Sequence, residues 1–405
     1  MRAAEAIRQG YFERFCAPEG DPEAIRRLAW RRSALRLQVL LSLQQQRRGK
    51  ELNNIIDGLE RASENAKHQA LAAPEMALYI SALVNENTPG ADIVIPLLTR
   101  IATLSSASEF DRLSWTGKLA LDYLPLGEHV IRIPGRTFDD PELIINESWI
   151  RLYSPDDKSA AIEVPMRTSA LPLENSVVRS DKLEVVDGWR PFSDEFNDGN
   201  VSVSLNQSSR VQFLAVLTEA VELIRMVMPA ALEEMVETAK YLSPIRPKDI
   251  ETDALPSFSS PTMPGVIFVG IERGDGRLID ARHLAESCVH EHLHNRLYLL
   301  DEALPLTVKS ENPRAYFSPW KQTMRTIEGM LHAIYVFSHL AWFWRTAGEK
   351  VDGLKEYAAF NVAEQVGQLK AATADIYSDE LTLAGQQLLS ASKEILSNLT
   401  SASPI

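Results

Sequence analysis

Residues 288–300 read CVHEHLHNRLYLL, and the pattern inside them decides how the rest of the chain is read. His290, Glu291 and His294 satisfy the spacing His-Glu-x-x-His. On a helix, residues four apart lie one turn above each other on one face, so two imidazoles can meet one metal ion with a carboxylate beside them. The surroundings carry the helical period. Ala285, Val289, Leu293, Leu297 and Leu300 recur at three- and four-residue steps, and no Pro or Gly interrupts residues 284–303. The plain alternative for such a face is a row of solvated histidines.

The placement of histidine weighs against that alternative. Of eight histidines, six (His283, His290, His292, His294, His332 and His339) fall in one segment, and His68 and His129 lie outside it. A single metal-centred site produces such clustering. The two cysteines, Cys16 and Cys288, are too few for a disulfide framework or a cysteine-based zinc site, and Cys288 is read as a small buried residue.

Composition sets the class. The chain has 405 residues, room for two domains or one large one. Hydrophobic content of 45% and charged content of 24% are those of a globular protein. The net charge of −13 argues against a nucleic-acid backbone as the main partner. The N-terminus lacks the apolar core of a signal peptide, and no stretch approaches ~20 uninterrupted apolar residues, so no membrane partner and a cytoplasmic location are expected.

Outward from the motif, three segments are expected. Residues 1–128 form an N-terminal helical region, with helical patterning over residues 24–45, 76–84, 93–104 (Pro96 near the start) and 111–121. On the first of these helices Arg26, Arg27, Arg31, Arg32 and Arg36 make a basic face, read as solvated rather than as a leader-peptide patch. Residues 129–205 form a β-rich insert or subdomain, from the runs HVIRI, ELIINESWIRLY, AAIEV, KLEVV and VSVSL. Within it DEFNDGN, residues 194–200, is turn chemistry rather than a calcium site. Residues 206–405 form a helical catalytic region. Helices are expected at 209–228 and 229–241, a Pro-rich loop at 244–264, a strand in GVIFVGIE, the motif helix, and a long apolar helix from about Thr326. The expected fold class is α+β, predominantly helical. The metal site would lie between two core helices, with the smaller β-rich region in the middle of the chain.

A metal held by two histidines needs a third protein ligand. Glu328 and His332 share a face of the downstream helix and are both candidates; His339 lies on nearly the same stripe, deeper in apolar sequence. With Glu328 the site is that of a zinc peptidase of the gluzincin type, with Glu291 as general base on a Zn(II)-bound water. With His332 it is three histidines, a set compatible also with iron. Spacing leaves the two open.

Residues 316–344, YFSPWKQTMRTIEGMLHAIYVFSHLAWFW, add a second block. Together the two blocks resemble the HExxH-motif peptide-modification family, the iron- and 2-oxoglutarate-dependent HExxH-type peptide β-hydroxylases of ribosomal peptide natural-product pathways. Matching positions are Arg296-Leu297 after the motif, then Tyr316, Pro319, Trp320, Arg325, Gly329, Leu331, His332, Tyr335, Phe337, Phe343 and Trp344. Phe317, Lys321 and Ala333 depart from the family pattern, where Tyr, Arg and Gly are usual.

The resemblance implies His290, His294 and His332 as ligands of Fe(II), with 2-oxoglutarate and O2 as co-substrates. It implies hydroxylation at a Cβ position of a residue in a ribosomally made precursor peptide, with 2-oxoglutarate passing to succinate and CO2. Arg325 would take the distal carboxylate of 2-oxoglutarate through a charge-assisted pair. Lys321 keeps the positive charge at its position but not the planar fork. Tyr316 and Trp320 are expected at the co-substrate or substrate channel. Glu291 would orient a histidine or a bound water rather than serve as a peptidase base. The usual 2-oxoglutarate oxygenase is a jelly-roll barrel, and this chain is expected not to be one.

Overall fold

The structure is a computed structural model. It describes residues 9–46, 49–105, 109–126, 129–146, 148–157, 161–165, 179–180, 183–187, 200–247, 255–273 and 276–401. In chain order the helices α1 (Gln9–Cys16), α2 (Pro22–Gln46), α3 (Lys50–Arg61), α4 (Glu64–Ala72), α5 (Pro74–Val84) and α6 (Ala91–Ser105) come first. Strands β1 (Glu109–Ser114), β2 (Lys118–Leu126), β3 (His129–Asp139), β4 (Glu142–Asn146), β5 (Trp149–Tyr153), β6 (Ile162–Pro165), β7 (Arg179–Ser180), β8 (Leu183–Val185) and β9 (Asn200–Ser202) follow. Then come α7 (Gln207–Val227), α8 (Pro229–Thr238), β10 (Tyr241–Pro247), β11 (Ser257–Phe258), β12 (Val266–Gly270) and α9 (Ala281–Ala303). The chain ends with β13 (Tyr316–Ser318), β14 (Thr323–Arg325), α10 (Ile327–Lys350), α11 (Lys355–Ala374) and α12 (Leu383–Ser401). The class is mixed α+β, and among the described residues no sheet closes into a barrel. No helix among them is long and apolar enough to cross a membrane.

The contacts divide the chain into two compact units. One comprises Trp30–Leu214 and Lys240–Leu278. Its main core gathers Leu40, Ile55, Leu98, Leu121, Phe138 and Leu152 from helices and strands alike. Two sheets stand in it, a four-stranded one ordered β1-β4-β5-β6 and a six-stranded one ordered β11-β12-β10-β8-β7, with β9 also pairing β10. β2 and β3 form a separate antiparallel pair.

Several local expectations are corrected in this unit. Residues 111–121 are not helical: they supply the end of β1 and the start of β2. Gly117, at φ +100°, turns the chain between them in a conformation other residues resist. From there Leu119 and Leu121 alternate into the core. The helix around Pro96 begins at Ala91, so the proline stands in its second turn. Tyr241 does not end a helix. It opens β10, which pairs in parallel with β12 and β8. Such a central strand is covered on both faces, so it reads as a continuous buried run without alternation. The arginine face of α2 is only partly solvated, since Arg32 is buried and Arg36 donates to the Leu71 carbonyl at 2.5 Å. Residues 194–199 of the turn-rich stretch lie outside the described residues.

The other unit comprises Met1–Ala29, Ala215–Ala239 and Ile279–Ile405. Here α9 packs on α8 and α10, and α10 packs on α11 and α12. α10 is apolar on most faces because neighbours cover it: Ile334, Tyr335, Phe343 and Trp344 are fully buried. Side-chain caps fix where the two central helices start. Asp280 accepts from the backbone N–H groups of Arg282 and His283 ahead of α9. Thr326 accepts from that of Gly329 ahead of α10. Between them, β13 and β14 make a two-stranded hairpin in the register Tyr316↔Arg325, Phe317↔Met324, Ser318↔Thr323.

Candidate functional site

Every residue singled out from sequence as a site candidate lies in the unit that contains α9 and α10. The motif helix α9 is buried along most of its surface, with Leu284, Ala285, Cys288, Val289, Leu293 and Leu297 at zero exposure. One stripe stays half-exposed: Ser287, His290, His294 and Tyr298. It follows the i, i+4 progression on which the motif rests.

α10 brings His332 to this stripe. The His294 and His332 rings stack with centroids 5.6 Å apart, and their Nδ1 atoms stand 3.4 Å apart. His290 lies 5.0 Å from His294, ring to ring. Tyr298 extends the cluster, with its ring 6.2 Å from that of His294 and 5.5 Å from that of His332. Glu328, the other candidate from spacing, is solvent-exposed in the first turn of α10. His339 is a core residue whose Nδ1 donates to the Tyr335 carbonyl at 2.8 Å.

Two nitrogens bound to one ion at about 2.1 Å stand about 3.0–3.4 Å apart for angles from square to tetrahedral. The His294–His332 pair fits that separation. The cluster is not a closed coordination shell, because among the described residues no three His, Cys, Asp or Glu side chains are already gathered as around an ion.

Protonation favours donor lone pairs. Burial, with Lys321 nearby, pushes His290 down to about 4. Burial and then Arg325 do the same at His332. His294 is held well below its ordinary value by burial first, then by His290, His332, Arg325 and Lys321. Neutral imidazoles are the form that binds metal.

Both cations come from the β13–β14 hairpin. Its turn carries Trp320 and Lys321, and Arg325 ends its second strand. Arg325 lies so close to the first turn of α10 that a Cβ at position 329 would meet its guanidinium at 3.0–3.1 Å. Gly329 therefore makes room for that group. Trp320 stacks on Phe337 at 4.6 Å, and Phe337 meets His290 edge-on at 5.3 Å, so an aromatic wall borders the histidines. Tyr316 is buried, and its hydroxyl donates to the Glu380 carboxylate. Glu291 is buried as well, its Oε1 3.9 Å from Nε2 of His290.

The middle histidine of HEHLH has a structural task. His292 is fully buried, and burial holds it below its ordinary value despite the neighbouring carboxylate. Its Nε2 is hydrogen-bonded to Glu234 at 2.8 Å, and its Nδ1 to the Thr238 hydroxyl at 2.8 Å. Glu234 also accepts from the Asp21 backbone N–H at 2.6 Å and pairs with Arg296 Nε at 3.3 Å. Arg296 in turn donates to the Phe15 carbonyl at 2.5 Å and lies over the Phe15 ring. Burial alone would raise the Glu234 carboxyl; Arg296 and His292 outweigh it and hold it below its ordinary value.

Sequence reasoning missed Tyr298, Phe337 as a contact of His290, and Glu234. The first was within reach, since the 290–294 spacing repeats once more to 298. Glu234 carried no such signal. No family model matches the chain, and no curated protein matches it.

Proposed function

We propose that this chain is an iron(II)- and 2-oxoglutarate-dependent peptide β-hydroxylase, of the HExxH peptide-modification family it resembles. The substrate would be a ribosomally made precursor peptide, hydroxylated at a Cβ position. The observation that carries the reading is the pair of cations on the hairpin, Lys321 in its turn and Arg325 against Gly329 in the first turn of the helix that carries His332. A dicarboxylate co-substrate calls for positive charge beside the metal ligands.

His290, His294 and His332 would hold the metal between α9 and α10. Bound iron would supply the activation of O2 coupled to loss of CO2 from 2-oxoglutarate. Arg325, its position set by Gly329 and the Thr326 cap, would orient the distal carboxylate by a charge-assisted pair. Lys321, on the turn, would add a point charge without bidentate geometry. The Trp320–Phe337 stack would keep bulk water from the histidines. Glu291, buried beside His290, suits the task of holding that ring rather than of moving a proton to substrate. Tyr316 would act at one remove, fastening the hairpin to Glu380. The zinc-peptidase alternative requires Glu328 as ligand, with Glu291 as general base, and Glu328 is solvent-exposed in the first turn of α10.

The test is succinate formation by anaerobically iron-loaded protein given 2-oxoglutarate and O2, with and without the precursor peptide encoded beside it. Peptide-stimulated succinate with a product heavier by one oxygen atom is the expected result. Tightly held zinc and peptide cleavage abolished by Glu291→Gln would overturn it in favour of the peptidase.

A further inference from the structure

The β13–β14 hairpin has two faces. Strand alternation puts Tyr316, Ser318 and Arg325 toward the protein, where Tyr316 and Ser318 are buried. The cross-strand pair Phe317–Met324 points the other way and is 58% and 60% exposed. Two large apolar side chains held together in water on a site-bearing hairpin call for an occupant. Beside them opens a cavity of about 700 Å³, lined among others by Phe317, Met324, Met330, Asp375 and Tyr377. Tyr377 is 57% exposed at its rim, and Met330 is buried.

Charge selects among occupants. Arg314, on the same rim, is engaged by both carboxylate oxygens of Asp379, at 2.7 and 3.0 Å, and lies over the Tyr377 ring. The charge left for a ligand is that of Asp375, which is exposed. The hairpin is two-stranded, and among the described residues neither strand pairs with a third, so its outer edges suit an extended backbone. A second copy of this chain would need about 800 Å² on each side, more than these few side chains supply.

We infer that the outer face of this hairpin and the adjoining cavity are the docking site for an extended segment of the substrate peptide, with an apolar side chain seated against Phe317, Met324 and Tyr377 and a basic residue next to it facing Asp375. This rests on the peptide-substrate reading above and deepens it. The inner face of the hairpin serves the co-substrate through Arg325, while the outer face holds the peptide. One element thereby couples the two ligands.

The test uses the full-length protein and three fluorescein-labelled, end-capped synthetic peptides in a Gly/Ser background, carrying Leu-Lys, Ser-Lys or Leu-Glu at the centre. Fluorescence anisotropy reads their affinities without metal or 2-oxoglutarate. The Leu-Lys peptide should bind about tenfold more tightly than either control, the scale of one apolar anchor or one charge pair. The double variant F317S/M324S should lose about tenfold for Leu-Lys. Asp375→Lys should turn the preference toward Leu-Glu. All three positions are exposed, and an unchanged far-ultraviolet spectrum checks that the variants fold. Equal affinities for the three peptides, or a double variant that binds as the parent does, would overturn the inference. So would a parent dimer that F317S/M324S converts to monomer, which would make the patch a self-interface. Because binding needs no chemistry, the two readings fail separately. Preferential Leu-Lys binding by protein that, once loaded with iron, forms no succinate leaves this surface standing and removes the oxygenase. Peptide-stimulated succinate without Leu-Lys preference does the reverse.

Discussion

Glu234 and His292 meet at 2.8 Å with no exposure of either side chain, 58 positions apart in sequence, and Arg296 closes the triad at 3.3 Å from the same carboxylate. The motif helix is thus anchored from behind by a buried ion pair, while its other face carries His290 and His294. Glu234→Gln keeps the shape and removes the charge, leaving the Arg296 guanidinium buried without its counter-ion. Such a break costs about 3–5 kcal/mol. Urea unfolding should show a midpoint lowered accordingly, and a change below about 1 kcal/mol would mean that Arg296 finds another partner.

Buried neutral histidine makes stability fall in acid. Burial, with Arg296 near, pushes His339 down to about 3 in the folded chain, below its unfolded value. The stabilisation is full above the unfolded value of about 6.5 and is lost as pH falls, because the unfolded chain binds the proton first. The expected slope for this residue is about 1.4 kcal/mol per pH unit between roughly pH 6 and 4. His339→Gln should flatten the measured dependence by that amount; an unaltered slope assigns the effect to other groups.

His332→Ala should lose the metal, since its Nδ1 is the one placed 3.4 Å from that of His294. Glu328→Ala, at an exposed position, should keep it. Metal content after iron loading and desalting reads both variants, and the opposite pattern would return the site to the peptidase arrangement.

Arg325→Ala should raise the 2-oxoglutarate concentration required for half-maximal succinate formation by about tenfold to a hundredfold, with metal content unchanged. That is the scale of one charge-assisted pair. Gly329→Ala leaves the guanidinium present but crowds it at 3.0–3.1 Å, and should raise the same requirement by a smaller factor. Variants indistinguishable from the parent would remove Arg325 from co-substrate binding.

The periodicity of residues 284–303 and of the stretch after Thr326 made both central helices legible, and Asp280 and Thr326 cap them where such residues belong. The β-prone runs between 129 and 205 likewise appear as strands. Periodicity was a poorer guide at residues 111–121, where Gly117 breaks the chain into two strands, and at Tyr241, where a strand covered on both faces shows no alternation.

By itself the sequence determined which residues share a face: His290 with His294, Glu328 with His332, and the apolar stripe opposite. Local backbone geometry alone sets those relations. Tertiary structure decided which faces meet. It set His332 beside His294 and left Glu328 in solvent, gave His292 and Arg296 to Glu234, tied Tyr316 to Glu380, and turned Phe317 and Met324 outward. A helical or strand period fixes a direction around one element's own axis. The partner found in that direction depends on how distant segments pack.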